Sequence, residues 1–424
     1  MTPYEKASRY LQELLKTSSL EDIIAGLSAK EHVDSPKLPR FIYASEQSVK
    51  RRWELLNNDE AQAILFDEAA AATMERYQHN IENYIGTVRM PVGVAGPLKV
   101  NGLFAQGDYF VPLATTEAAL VASYSRGAQL ITASGGCTSM LLSEGVSRAP
   151  GFVFQSLIES GMFVNWVMQH LEEIKQAGES TTRHGKFSEI RVNIEGNHVY
   201  LNIEFFTGDA SGQNMVTIAT QAICDYIEQH SPVRPQHSFI EANYSGDKKA
   251  SSLSYLGVRG KKVSAEVTIP AALVKDYLRT TPEKMMEYWK MSAIGGVLSG
   301  TMGVQGHYAN GLAALYIACG QDAACVSESA VGVTRIDVTE RGELYMAVTL
   351  PNLIVGTIGG GTGLPTQQAC LSLMGLAGTG KARAFAEVAA GLLLAGELSI
   401  IGALCAGDFT RAHRKLAREG KKAT

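Results

Sequence analysis

One segment constrains the fold more than any other. From Ala389 to Gly407 the chain is a largely apolar stretch with a single charged residue, Glu397, and residues 408–420 then turn strongly polar. A run of that length reads either as a membrane span or as a core helix. A carboxylate at mid-bilayer would cost about 2.5–3.5 kcal/mol, so the run is predicted to be a helix buried in protein. Met1 to Leu15 mixes Glu, Lys and Arg at helical spacing without an apolar h-region. No targeting or membrane segment is therefore expected, and the chain is placed in the cytoplasm.

At 424 residues the chain has room for two or three domains. A net charge of −4 supplies no overall basic field, so nucleic acid is not an expected partner. Six cysteines, at 137, 224, 319, 325, 370 and 405, occur without any C-x-x-C. That scatter argues against a disulfide scaffold or structural zinc, and no metal is expected. Glycine is the outlier, with 42 residues. The excess has no collagen period and implies many places where backbone comes close to something.

Residues 1–85 read as helical and polar, with breaks at Ser35-Pro36 and Leu38-Pro39. Thr87 to Pro97 is extended and apolar, Val100 to Leu103 reads as a turn, and 116–130 as a helix ended by Ser134-Gly135-Gly136. Between Pro150 and Gly246 the pattern gives a strand at 151–154, a helix over 156–177, strands near 187–194 and 198–206, a helix near 213–229 and a strand near 238–243. That is the β-α-β-β-α-β, ferredoxin-like order, in a stretch the size of one inserted domain. Beyond 250, helices are predicted near 270–280, 283–318, 366–405 and 409–419, with a strand pair near 331–350.

Several segments carry chemistry. Gly375 to Ala382 nearly spells a phosphate-binding loop, but Ala382 stands where the Mg²⁺-holding hydroxyl is needed and a helix precedes it instead of a strand. Gly356 to Gly363 is a dense glycine run after an apolar stretch, readable as a ligand-facing backbone surface or as a glycine-rich turn. In Gly208 to Met215 the polar residues are expected to cap the following helix, whose N-terminus is the alternative seat for a phosphate. Arg183, His184 and Lys186 form a basic loop, suited to a phosphate or simply solvated. Glu117 and Asp322 read as lone carboxylates in apolar surroundings, Glu117 within a helix. Such groups need a partner, and Lys248 is the natural one.

In order along the chain, Glu82-Asn83-Tyr84-Ile85-Gly86, Pro91 to Leu98, Thr115-Thr116-Glu117, Asp247-Lys248-Lys249, Gly320 to Ala324, Gly356 to Thr362 and His413 closely resemble the 3-hydroxy-3-methylglutaryl-coenzyme A (HMG-CoA) reductase family. The likeness covers about 80–415, and its first signature resembles the class I, biosynthetic branch without a membrane anchor. The resemblance implies an α+β fold: a large domain around a central helix, with an inserted ferredoxin-like βαββαβ small domain. Expected boundaries are 1–85 for an N-terminal helical region, 86–149 and 247–424 for the large domain, and 150–246 for the insertion. A homodimer or larger homo-oligomer, with active sites at the subunit interface, is also implied.

The implied reaction reduces HMG-CoA to mevalonate with two NADPH. NADH is the alternative cofactor, and NAD-dependent mevalonate oxidation the alternative direction. A non-catalytic CoA- or nucleotide-binding protein is a third reading, opposed by the intact catalytic set. By resemblance Lys248 stabilises the thioester oxygen and His413 protonates the departing thiolate. Glu117, kept protonated by burial, protonates the aldehyde oxygen, and Asp322 bridges Glu117 and Lys248. Arg148, Asp247, Lys249 and Asn310 would hold the hydroxymethylglutaryl part, and Ser123, Arg126 and His307 the CoA. Asp209, Ala210, Gly212 and Asn214 would hold the nicotinamide cofactor against Ile358, Gly359, Gly360 and Gly361, with Arg183 on a 2′-phosphate. Two departures stand out: Glu241 replaces a substrate-contacting serine, and Ser211 and Gln213 replace methionines.

Overall fold

The computed structural model describes residues 3–30, 37–38, 43–257 and 259–407. It divides into a unit of residues 1–87 and a unit from residue 88 onward. In the first unit, a helix over Glu46–Leu56 starts on Ser45, whose side chain accepts the Ser48 N–H. Its buried Arg52 donates to the Tyr84 carbonyl at 2.8 Å, and Trp53 donates to the Ile85 carbonyl at 2.9 Å. The Glu82–Gly86 signature is thus held by side chains of that helix. The prolines of the two predicted breaks, at 36 and 39, lie outside the described residues.

The second unit contains strands β1 (Val92–Gly102), β2 (Gln106–Ala114), β3 (Cys137–Arg148), β4 (Gly151–Val153), β5 (Lys186–Glu195), β6 (His198–Phe206), β7 (His237–Phe239), β8 (Gly260–Ile269), β9 (Val333–Val338) and β10 (Leu344–Leu353). Its main helices are α1 (Leu120–Ala133), α2 (Leu157–Gln169), α3 (Leu171–Glu179), α4 (Gln213–His230), α5 (Pro282–Ser299), α6 (Tyr308–Ala318) and α7 (Ala382–Ala406). The sheet order β2-β1-β3-β8-β10-β9 is antiparallel throughout except for the β1–β3 pair. Strands β7-β4-β6-β5 form an antiparallel set, with a core of their own among Phe152, Phe163, Ile203, Phe205 and Ile223. Strand β3 runs through both: Thr138 to Gly145 pairs with β8, and Val146 to Arg148 pairs with β6.

The apolar run of the sequence is α7, buried on every side from Phe385 to Ser399. It is long and apolar enough to cross a membrane, yet 89% of its most apolar window is covered by protein. Helix α1 packs so closely on it that a Cβ on Gly127 would collide with the Ala395 carbonyl. Two fully buried carboxylates on α7 replace water for neighbouring backbone. Glu387 accepts N–H bonds from Leu103, Phe104, Ala105 and Leu141 at 2.8–3.2 Å. Glu397 accepts from Gly306 and His307 N–H groups, His307 Nδ1 and the Thr334 hydroxyl at 2.8–3.1 Å. Charged acceptors with several donors are the tolerable form of a buried carboxylate.

Several predicted elements differ. The helix over 156–177 breaks at His170, and that over 283–318 breaks at Gly300–His307, where Gly300 and Gly303 take positive φ. The helix over 366–405 breaks between Leu373 and Ala382, where Gly375, Gly378 and Gly380 do the same. Strands β2, β3 and β8 were not predicted. The helix at 409–419 lies outside the described residues.

Candidate functional site

The loop 243–249 between β7 and β8 carries the D-K-K triplet in an unusual backbone. Asn243 and Lys248 both have positive φ, 64° and 56°, a conformation that costs a non-glycine residue about 1–3 kcal/mol unless its surroundings fix it. The fixing group is Glu328, whose Oε1 accepts the Lys248 N–H at 3.1 Å. Arg259, almost wholly buried, binds both Glu328 oxygens at 2.6 Å and Asp247 Oδ1 at 2.7 Å. Arg148 meets Asp247 Oδ2 at 2.7 Å and Glu241 at 3.5 Å. Burial pushes the Glu328 carboxyl up against the pull of Arg259. For Asp247 burial acts upward too, but Arg259 and Arg148 outweigh it and hold the carboxyl below its usual range. Removing one member of such a chain strands a buried charge and is strongly destabilising.

On this platform Lys248 Nζ reaches Asp322 Oδ2 at 2.9 Å. The Asp322 hydrogen bond raises the ammonium pKa despite partial burial. Lys249 turns back to the Asp247 carbonyl at 2.8 Å. Asp322 also accepts the Ala324 N–H at 3.0 Å through Oδ1, which orients its carboxylate. Its loop lies against the glycine run: Gln321 Oε1 accepts the Gly356 N–H at 2.8 Å, and a Cβ on Gly320 would strike the Gly361 carbonyl. The Asp209 carbonyl accepts the Thr357 N–H at 2.9 Å, and Ala210 pairs with Ile358 as a parallel bridge. Gln213 Nε2 contacts Cys325 Sγ at 2.8 Å. The segments 208–214, 320–325 and 356–361 therefore converge, and the Asp322 end of that cluster holds Lys248.

The expected side-chain cap on α4 is absent. The helix starts from Gly212 at φ 78° with no side-chain cap bond, while the Asp209 carboxylate binds the Gly380 and Ala382 N–H groups at 2.7 and 3.1 Å. A helix start without a side-chain acceptor suits an anionic group. Gly212 itself is buried, but Asn214, Ile358, Gly359 and Gly360 around it are exposed, and a flat ligand fits such a backbone surface. Arg183 is exposed in the loop that touches the same helix, where Thr182 Oγ1 meets Met215 Sδ at 3.2 Å. The near-phosphate-loop at 375–382 holds a carboxylate of this chain.

Other predicted residues lie elsewhere. Glu117 is exposed and precedes α1, because Ala119 adopts φ 71° and the helix begins only at Leu120. This corrects the expectation of burial within a helix; the Thr115 hydroxyl accepts the Glu117 N–H at 3.0 Å, but among the described residues no side chain pairs with its carboxylate, and Asp322 bridges to Lys248. Asp322 is likewise exposed, at the start of a single 3₁₀ turn. Ser123 and Arg126 bind Ser399 of α7 at 2.7–3.1 Å. His307 is held by Glu397 and stacks on Tyr124 at 5.4 Å. Asn310 is exposed in the first turn of α6. His413 lies outside the described residues. Sequence reasoning missed Arg259 and Glu328, which are far from Lys248 in functional texture and marked by no motif.

The profile of the hydroxymethylglutaryl-coenzyme A reductase family matches residues 48–418. The chain is 41% identical over 414 residues to the 3-hydroxy-3-methylglutaryl-coenzyme A reductase of Aeropyrum pernix, covering 96% of this chain and 98% of that one. It is 43% identical over 348 residues to that of Methanothermobacter thermautotrophicus, covering 81% and 87%. Its fold is similar to the NADPH-bound class II enzyme of Streptococcus pneumoniae, with TM-score 0.64 and 24% identity over 85% of this chain and 97% of that one.

Proposed function

The chain belongs to the hydroxymethylglutaryl-coenzyme A reductase family, and from that premise we propose that it catalyses (S)-HMG-CoA + 2 NADPH + 2 H⁺ → mevalonate + 2 NADP⁺ + CoA. The observation that carries this reading is the Lys248–Asp322 pair, held on a buried charged platform beside the glycine-rich loops. Lys248 offers a fixed cation to an oxygen on which negative charge develops. The hydrogen bond from Asp322 raises the pKa of that ammonium.

Nicotinamide, when bound, supplies the hydride in each of the two reductions. The groups that suit it are Gly212 and Asn214 at the α4 start, Ala210, and Ile358 to Gly361, with Asp209 in the same loop and Arg183 available to a 2′-phosphate. Residues 150–246 are proposed as the cofactor-binding domain inserted in the large domain. Arg148, Asp247, Lys249 and Asn310 take the hydroxymethylglutaryl end, with Ser123, Arg126 and His307 toward CoA. His413 gives its proton to the thiolate released when the hemithioacetal collapses, and Glu117 gives one to the oxygen of mevaldehyde.

Glu117 is exposed in a single copy of the chain. Beside its loop, Val88, Val92 and Val94 are 79%, 53% and 51% exposed, and Thr115 donates to the Pro91 carbonyl at 3.1 Å. Such an apolar strip supports a homodimer in which a second subunit covers Glu117. The six cysteines are free and buried, which accords with a cytoplasmic enzyme.

Loss of NADPH absorbance on adding HMG-CoA tests the activity. No oxidation of either NADPH or NADH would refute it, and a strong NADH preference with faster mevalonate oxidation would favour the degradative direction.

A further inference from the structure

The sequence from Gly375 to Ala382 resembles an anion-binding loop, and in the structure it binds an anion. We infer that Asp209 is a positioning residue: its carboxylate fills this loop and fastens both candidate cofactor loops to the N-terminus of α7, instead of touching the cofactor. The inference rests on the reading of 208–214 and 356–361 as the cofactor surface.

Helix α7 lacks a cap of its own. Its N-cap residue, Lys381, is in the right-handed helical region and makes no side-chain cap bond. Gly378 and Gly380, at φ 90° and 79°, turn the backbone that leads into it. Asp209, 171 residues away from Gly380, supplies the missing acceptor: Oδ2 takes the Gly380 N–H at 2.7 Å and Oδ1 the Ala382 N–H at 3.1 Å. A carboxylate at this end of a long helix is favoured by the dipole as well as by the hydrogen bonds.

The same residue closes a ring of bonds. Its carbonyl accepts the Thr357 N–H at 2.9 Å, and Thr357 Oγ1 donates to the Gly378 carbonyl at 2.7 Å. Gly378 N–H returns to the Thr357 carbonyl at 3.2 Å. Three segments, 208–210, 357–358 and 378–382, are thereby tied at one point. Buried Lys261 lies beneath them, with Nζ 3.4 Å from the Gly208 carbonyl and 3.5 Å from that of Val355. With both oxygens of Asp209 engaged by backbone, the exposed groups around it are Gly208, Asn214 and Ile358 to Gly360.

The test compares wild type, Asp209→Ala and Asp209→Asn by amide hydrogen exchange and steady-state kinetics. Without cofactor, Asp209→Ala should exchange faster at 356–361 and 378–384. Its KM for NADPH should rise roughly tenfold or more while KM for HMG-CoA stays within about twofold. Asp209→Asn keeps one acceptor oxygen and should fall between; it carries the test if the alanine variant does not fold. A raised NADPH KM with unchanged exchange in the apo protein would mean direct cofactor contact and overturn the inference. So would faster exchange with no change in NADPH KM, or a parallel rise of both KM values. Added NADPH should slow exchange at 208–214 and 356–361 of the wild type; failure there would refute the cofactor reading itself, separately from the clasp.

Discussion

Replacing Glu397 with glutamine should destabilise the protein by about 2–4 kcal/mol, and the figure follows from its four donors. Oε1 accepts from the His307 N–H and His307 Nδ1, and Oε2 from the Gly306 N–H and the Thr334 hydroxyl. A glutamine side chain has one acceptor oxygen and one NH₂, so whichever way it lies, one backbone N–H faces another donor. The imidazole or the hydroxyl can change role and accept; the peptide N–H cannot. An orphaned buried N–H costs about 1–3 kcal/mol, and the surviving bonds lose charge assistance of about 1 kcal/mol each. Part of this is returned because a neutral amide is easier to bury than a carboxylate. Urea unfolding of wild type and Glu397→Gln measures the difference. A change below about 0.5 kcal/mol would refute the view that this carboxylate solvates the 306–307 backbone. Because His307 and Asn310 belong to the segment it anchors, KM for HMG-CoA should rise in the same variant while KM for NADPH does not.

Lys248→Met should lower kcat by roughly 10²–10³ in the NADPH oxidation assay, the usual loss on removing a group that meets developing negative charge. Asp322 raises the Lys248 pKa, so Asp322→Asn should move the alkaline limb of the pH–rate profile to lower pH; a limb that stays put or moves up would contradict the pairing. Asp247 has a depressed carboxyl pKa, so its contribution to stability is present above the unfolded-state pKa and lost as pH falls through the folded one. Asp247→Asn should therefore flatten the acid end of a stability–pH curve. His413→Gln should spare mevaldehyde reduction and cripple thioester reduction, and equal loss of both would remove its assignment as the thiolate's acid. Burial pushes the Cys137, Cys224 and Cys325 thiols up to about 12, so these three should resist alkylation at pH 8 until urea unfolds the chain.

Legibility from sequence followed local pattern. The strand and helix order over 150–246 was readable apart from the break at His170 that makes α2 and α3 of one predicted helix, and the buried α7 because one carboxylate sits in an apolar run. Strand β8 was not, since Lys261, Lys262 and Glu266 disguise it, yet Lys261 is buried among the carbonyls of its neighbours. Strand β3 was hidden by its serines, of which Ser139 donates to the Glu387 carbonyl inside the core at 3.0 Å. For Glu117, Ala118 and Ala119 favour helix on propensity, and the left-handed turn at Ala119 overrides it. At the site, the need of a lone carboxylate for a cationic partner and the family resemblance pointed to Lys248 and Asp322, which the structure pairs at 2.9 Å. The Arg259–Glu328 pair beneath them is a long-range contact that no local pattern announces.

The passage of β3 through both strand sets bears on engineering the protein. A cut at 149–150 looks like a clean boundary for excising 150–246, but Val146 to Arg148 pairs with β6 and belongs structurally to the piece removed. Excision would leave those three residues as a bare edge carrying unpaired N–H and C=O groups, one of them on the residue that grips Asp247. A deletion that retains Val146–Arg148 therefore invites edge-to-edge association. A swap of this segment between relatives should carry the last three residues of β3, Val146–Arg148, with it, moving the junction back to Gly145.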